Sequence, residues 1–232
     1  MNKKLDILAF AAHPDDVELA CSGTLIKEAK NGKLTGIVDL TLGQLGTRGT
    51  PEIRLSESQI AGKILGLSAR ENLELEDGFF HEDKETIIKI VTAIRNHKPT
   101  TVLINATKDR HPDHGRASSI VRNACYYSGL KKIETGQEPH RPENIYSYIQ
   151  DYYLKPDFIV DITAEFETKM NSILAYSSQF YDPNNQEPNT PISSKDFLQF
   201  IESRAREFGR LIGVEFGEGF QSEKPIKFNS LS

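Results

Sequence analysis

The chain has 232 residues, 38% hydrophobic and 26% charged, with a formal net charge of −5 and both signs mixed along its length. That is the composition of a soluble globular protein with one sizeable core, without the basic stripe of most nucleic-acid binders. No apolar stretch approaches the ~20 residues of a membrane span. Asp6 and the Asp15-Asp16 pair interrupt any signal-peptide core behind Met1-Asn2-Lys3-Lys4, so a cytoplasmic protein is expected. Cys21 and Cys125 are isolated, which argues against a disulfide framework or a cysteine-rich metal site.

Strand and helix patterns alternate from the start. Leu5 to Ala12 reads as a buried strand and Val17 to Lys30 as a helix ending at Gly32. Leu34 to Leu42 is a second strand, followed by a glycine-rich loop from Gly43 to Gly49. Pro51 suits the first turn of a helix running to Leu65. Asn72 to Leu75 is a short strand. Lys84 to Asn96 is an amphipathic helix, with Ile87, Ile88, Val91 and Ile94 at helical spacing. After Pro99, Thr101 to Ala106 is a β-branched strand, and another helix pattern follows His114. Tyr146 to Ile149 and Phe158 to Ile162 read as strands, Ala164 to Tyr176 and Lys195 to Ile212 as helices. Asp182 to Ser194, rich in Pro, Asn and Ser, is expected to be a mobile surface loop. This alternation predicts βαβ crossovers and one α/β domain over residues 1–232. The expected form is a Rossmann-like three-layer sandwich with a mostly parallel sheet, its site at the carboxyl ends of the strands.

Two clusters carry the chemistry. His13-Pro14-Asp15-Asp16, with Glu18 beyond, lies directly behind the first strand. Alone it has a bland explanation, because Asp15 and Glu18 have the spacing of a capping box. The second cluster, Lys108-Asp109-Arg110-His111-Pro112-Asp113-His114, lies behind the Thr101 strand. If the two strands are neighbours, both turns face one crevice. A catalytic zinc-type site needs about three nitrogen or oxygen ligands and one open position. His13, Asp15, Asp16, His111, Asp113 and His114 exceed that number. Adjacent Asp15 and Asp16 cannot easily point at one atom, so one is expected to bind metal and the other to act on its water. Spacing leaves the subset open.

AHPDDVE followed by HPDH resembles the PIG-L/LmbE-like family of zinc-dependent N-deacetylases, over nearly the whole chain from Ile7 to Phe220. The resemblance implies that His13, Asp16 and His114 hold the metal and that Asp15 is the general base. It implies that His111, oriented by Asp113, stabilises or protonates the tetrahedral intermediate as an imidazolium. Glu18 keeps a capping role. One departure is Cys21-Ser22-Gly23, where many relatives carry paired glycines; it is expected to affect helix packing.

Within the family the chain is most similar to bacillithiol-pathway members, which remove acetate from N-acetylglucosaminyl-malate. That likeness rests on Gly46-Thr47-Arg48-Gly49 with Arg54 and Glu57, on Ala175-Tyr176-Ser177-Ser178-Gln179-Phe180, and on Gly217 to Pro225. Arg54 and Arg110 are then expected to receive malate carboxylates through the planar guanidinium fork. The bland alternative for Arg54 is a helix-face arginine paired with Glu57 or Ser58. Histidine and carboxylate ligands suit zinc, and Fe(II) or Mn(II) would be tolerated. The resemblance also implies a homo-oligomer acting on a small amino-sugar substrate. The competing readings are a deacetylase or amidase on another N-acylated sugar, and a nucleotide-binding Rossmann module using Gly43 to Gly49. The latter lacks the GxGxxG spacing and does not follow the first strand. His81, His97 and His140 are expected to be non-ligands, and Tyr126 and Tyr127 to pack. Asn105, Gln150, Tyr152, Tyr153 and Glu218 are open.

Overall fold

A computed structural model describes residues 4–183 and 185–227, which leaves residues 1–3, 184 and 228–232 outside the described residues. Five parallel strands come first: β1 (Ile7–Ala11), β2 (Thr35–Thr41), β3 (Ala69–Leu75), β4 (Thr101–Ile104) and β5 (Asn144–Tyr148). β6 (Phe158–Asp161) and β7 (Gly217–Ser222) complete one sheet in the order β3-β2-β1-β4-β5-β7-β6. β7 runs antiparallel to both of its neighbours. The helices are α1 (Asp16–Ala20), α2 (Ser22–Lys30), α3 (Pro51–Leu65), α4 (Lys84–His97), α5 (Pro112–Tyr127), α6 (Phe166–Leu174) and α7 (Lys195–Ile212). The expected mostly parallel α/β sandwich is the fold observed.

β1 explains its own uninterrupted apolar run. Successive side chains point to opposite faces, and both faces are covered. Leu8 and Phe10 pack with Ile90, Val91 and Ile94 of α4 and Ile120 and Val121 of α5. Ala9 and Ala11 pack on the other side with Val17 and Leu25. Helix ends follow the local signals. Thr50 accepts from the Ile53 amide with Pro51 behind it, and Gly66 closes α3 at φ 68°. Asp83 and Ser194 cap α4 and α7 the same way. Each such cap is worth about 1 kcal/mol.

Two expectations are corrected, and one strand is added that the sequence did not announce. The single helix from Val17 to Lys30 is two helices, because Cys21 leaves helical geometry at φ −140° and the Ser22 hydroxyl donates to the Glu18 carbonyl. The resulting free end of α2 is met by Glu218 of β7, which accepts from Gly23 N (2.9 Å) and Thr24 N (2.7 Å). Strand β7 carries no alternation that would reveal it, since α7 approaches too closely for side chains. A Cβ on Gly217 would lie 2.7 Å from Ile159 Cγ2 and 3.0 Å from the Gly209 nitrogen. Within the stretch expected to be a mobile loop, residues 187–192 are tied to the body of the protein. Arg48 donates to the Pro188 and Glu187 carbonyls, and Thr190, Pro191 and Ile192 line the main cavity. Among the described residues no helix is long and apolar enough to cross a membrane.

Candidate active site

The strand order reverses between β1 and β4, which pair directly through Ile7↔Thr101 and Ala9↔Leu103. Ligands bind at such a switch point, beyond the carboxyl ends of the strands. A cavity of about 390 Å³ lies there, and both His/Asp clusters open into it.

The turn after β1 separates the two aspartates. Asp15 stands at φ 112°, ψ −24°, outside the ordinary region for a residue with a side chain. Such a conformation costs on the order of 1–3 kcal/mol and persists only where its surroundings impose it. Asp15 makes no capping bond with its side chain. Its carboxylate instead receives Arg54 Nη2 at 2.8 Å. Asp16 turns the other way, taking His114 Nε2 at 3.0 Å, Asn105 Nδ2 at 3.0 Å and Gln150 Nε2 at 3.2 Å. The capping-box reading fails at Glu18 as well. That residue is fully buried and binds Arg70 Nη1 (2.5 Å) and the Tyr176 hydroxyl (3.0 Å).

His13 and His114 each have one nitrogen committed to a carboxylate. His13 Nε2 lies 3.0 Å from Asp77 and 3.3 Å from Asp113, and His114 Nδ1 lies 2.5 Å from Asp109. Their other nitrogens face Asp16, His13 Nδ1 at 3.8 Å and His114 Nε2 at 3.0 Å. A carboxylate on the far nitrogen is the usual way to fix tautomer and ring direction in a metal-ligating histidine. Ligand atoms of His13, His111 and His114 also fall within 4.8 Å of one another, as do those of His13, Asp77 and Asp113. The second grouping uses the hydrogen-bonded nitrogen of His13. Asp16 belongs to neither grouping, although it lies 3.0 Å from His114 Nε2 and 3.8 Å from His13 Nδ1. The sequence offered no signal for Asp77, which the glycine-rich loop holds through the Leu45 amide. Asp109 stood inside the second cluster, five residues before His114, but only the fold shows it as that ring's partner.

Asp113 differs from expectation. Its carboxylate reaches His13, the Gly78 amide (3.0 Å) and Arg116 (2.5 Å). It meets His111 through its backbone N–H, which donates to His111 Nδ1 at 3.3 Å. His111 is thus the N-cap of α5, with Nε2 left to carry the proton.

Charges in the pocket are strongly coupled. Burial alone would lower both metal-side histidines, but carboxylates outweigh it. Asp113, Asp77 and Asp16 raise His13 to about 9, and Asp16 with Asp109 raises His114 to about 10. Burial would raise Asp16, yet His114 and His13 hold it well below the ordinary carboxylate value. Asp15 moves oppositely, to about 7. Burial raises it, Arg54 pulls it down and Asp16 pushes it up. His111 is lowered by burial and by the adjoining His13 and His114.

Arg54 and Arg110 both line the cavity, and each already meets a protein carboxylate. Arg54 binds Asp15 and the Pro14 carbonyl; Arg110 binds Asp151. Arg54 is buried rather than paired with Glu57 on an open helix face. Glu57 instead accepts from Ser177 Oγ and from Ser178 N and Oγ, while Gln179 donates to the Arg48 carbonyl. The Gly46–Glu57 and Ala175–Phe180 segments are thereby joined beside the pocket. Asn105 and Gln150 serve Asp16. His81 is exposed, His97 pairs with Glu71 and His140 binds the Pro99 carbonyl.

Residues 8–125 match the PIG-L family, described as GlcNAc-PI de-N-acetylase. The diacetylchitobiose deacetylase of Thermococcus kodakarensis is 27% identical over 93% of this chain and 82% of its own length. An uncharacterized deacetylase of Escherichia coli, YaiS, is 37% identical over 53% of this chain and 70% of its own. Among solved structures, the conserved protein TT1542 of Thermus thermophilus is 36% identical with a TM-score of 0.89, covering 98% of this chain and 99% of that one.

Proposed function

The chain belongs to the PIG-L family, and from that premise we propose that it is a metal-dependent hydrolase that removes acetate from N-acetylated amino sugars, with N-acetylglucosaminyl-malate as its substrate. The observation that carries this reading is the divergence of Asp15 and Asp16. One carboxylate sits between two carboxylate-backed histidines, and the other stands apart with a pKa near neutrality.

His13 Nδ1, Asp16 and His114 Nε2 would hold the ion, for which zinc suits the donors and Fe(II) or Mn(II) also fit. A divalent ion there supplies Lewis acidity, polarising the acetamide carbonyl and making water acidic near pH ~7. Asp15 takes the proton from the attacking water. Its raised pKa, about 7, suits a group that both accepts and returns a proton near neutral pH. Arg54 keeps that carboxylate aimed and limits the rise. His111 presents Nε2–H to the developing oxyanion, its Nδ1 held by the Asp113 amide. Asn105 and Gln150 keep Asp16 from rotating toward Asp15's water.

The cavity, about 390 Å³, is of the size usual for small-ligand sites. The malate assignment rests on the loop and tail features read from the sequence; the homo-oligomer and cytoplasmic location belong to the same reading. Acetate release should be measured in parallel on N-acetylglucosaminyl-malate, N-acetylglucosamine and diacetylchitobiose, after reconstitution with Zn²⁺, Fe²⁺ or Mn²⁺. Fastest turnover of the malate conjugate is expected. Release from none of the three rejects the deacetylase assignment, and preference for diacetylchitobiose replaces the malate.

A further inference from the structure

Three arginines line the cavity among the described residues: Arg54, Arg110 and Arg204. The first two carry their own counter-charge, from Asp15 and Asp151. Arg204, on α7, has no carboxylate within ion-pair distance among the described residues. Its Nη2 donates to the Leu19 carbonyl at 2.9 Å, and its guanidinium lies 5.3 Å from the centre of the Phe200 ring. Asp151, Asp109 and Glu218 act on it only from further away.

Arg95 shows how this fold satisfies an arginine used for structure. Its Nε, Nη1 and Nη2 all donate to carbonyls, those of Ser128, Ile133 and Leu130. Arg204 uses one nitrogen in that way and leaves the rest of its fork toward the cavity. Burial lowers it to about 10, so it stays cationic at neutral pH. Phe197, Phe200, Ile201 and Arg204 recur at i, i+3, i+4 and i+7, so one face of α7 forms the cavity wall. That wall is apolar apart from this one cation. A single guanidinium balances one negative charge, and its planar fork matches a carboxylate.

We propose that Arg204 receives a carboxylate on the substrate's aglycone, so that the site selects acidic amino-sugar conjugates over neutral ones; this rests on the reading of the cavity as an amino-sugar deacetylase site. Arg204 lies beyond the residues matched by the family, on a helix that the second half of the chain adds. The carboxylate would sit over the Phe197–Phe200 wall, where water is excluded and a charge-assisted hydrogen bond is strengthened.

The test compares kcat and KM for N-acetylglucosaminyl-malate and for neutral methyl N-acetylglucosaminide in the wild type, Arg204→Gln and Arg204→Lys. The glutamine keeps a donor for the Leu19 carbonyl and removes the charge. The malate conjugate should lose about 10–100-fold in kcat/KM, mainly through KM, while the neutral glycoside stays within about twofold. Arg204→Lys should recover part of the loss. Equal falls on both substrates, or no fall on either, overturn the proposal. Calorimetric titration of L-malate separates the two readings. Malate binding that disappears in Arg204→Gln, in a protein releasing acetate from no N-acetyl sugar, keeps the carboxylate receptor and rejects the deacetylase. Acetate release with malate binding unchanged by the substitution keeps the deacetylase and rejects this role for Arg204. Thermal melting of each variant establishes that the fold is retained.

Discussion

The parallel half of the molecule, β1 through α5, and the C-terminal part, β5 through β7, build the cavity by different means. The first half supplies reacting groups from two turns at adjacent strand ends, where short side chains on a rigid sheet meet at hydrogen-bond distances. The second supplies a wall: Phe197, Phe200, Ile201 and Arg204 on α7, and Thr190 to Ile192 before it. Chemistry placed at strand ends is constrained by the sheet register. A wall on a separately packed helix can change residue without disturbing the reacting groups. The two parts are joined by Glu218, which binds Lys169 at 2.6 Å and caps α2, the second helix after the first catalytic turn.

The sharpest way to break this comparison is to disable one half and read the other. Asp15→Asn should lower kcat by about 10²–10⁴-fold while KM and bound metal stay near wild type. Turnover close to wild type would remove Asp15 from the base role. Glu218→Ala leaves Lys169 as a buried unpaired cation and α2 uncapped. Chemical denaturation should show a loss of about 3–5 kcal/mol, and an unchanged midpoint would mean that the halves are held together elsewhere. Asp109→Ala frees the far nitrogen of His114. Metal affinity, measured by competition with a chelator, should fall about 10–100-fold; unaltered affinity would mean that His114 needs no support. The smallest effect lies far from the site. Asp83 is held below its ordinary value, first by the Thr86 amide. A depressed acid stabilises the fold above its unfolded pKa of 3.8 and loses that contribution as pH falls through the folded value. Asp83→Asn should therefore lower stability slightly at neutral pH, flatten the acid limb and leave turnover alone. A limb as steep as wild type would deny the linkage.

Much of the helical framework was legible in the sequence. Helix α3 and helix α7 have the bounds that Pro51, Leu65, Lys195 and Ile212 announced, because caps and 3.6-residue periodicity are local signals. The break at Cys21 was not legible, since Glu218 stabilises the new helix end from β7. Strand β7 was not either, as its glycines answer to the packing of Phe208 and Gly209.

The site divides in the same way. The residue types at the two turns, and the argument that neighbouring aspartates must diverge, were available from His13-Pro14-Asp15-Asp16 and His111-Pro112-Asp113-His114 alone. The directions were not. Only the folded chain shows that Asp113 supports His13, that Asp77 and Asp109 back the two rings, that Arg54 meets Asp15 and that Arg204 faces the cavity without a carboxylate. A motif names groups that are close along the chain, where backbone geometry limits their arrangement. Hydrogen bonds spanning 64 residues, from His13 to Asp77, or 185, from Arg204 to Leu19, depend on how helices and loops settle on the sheet.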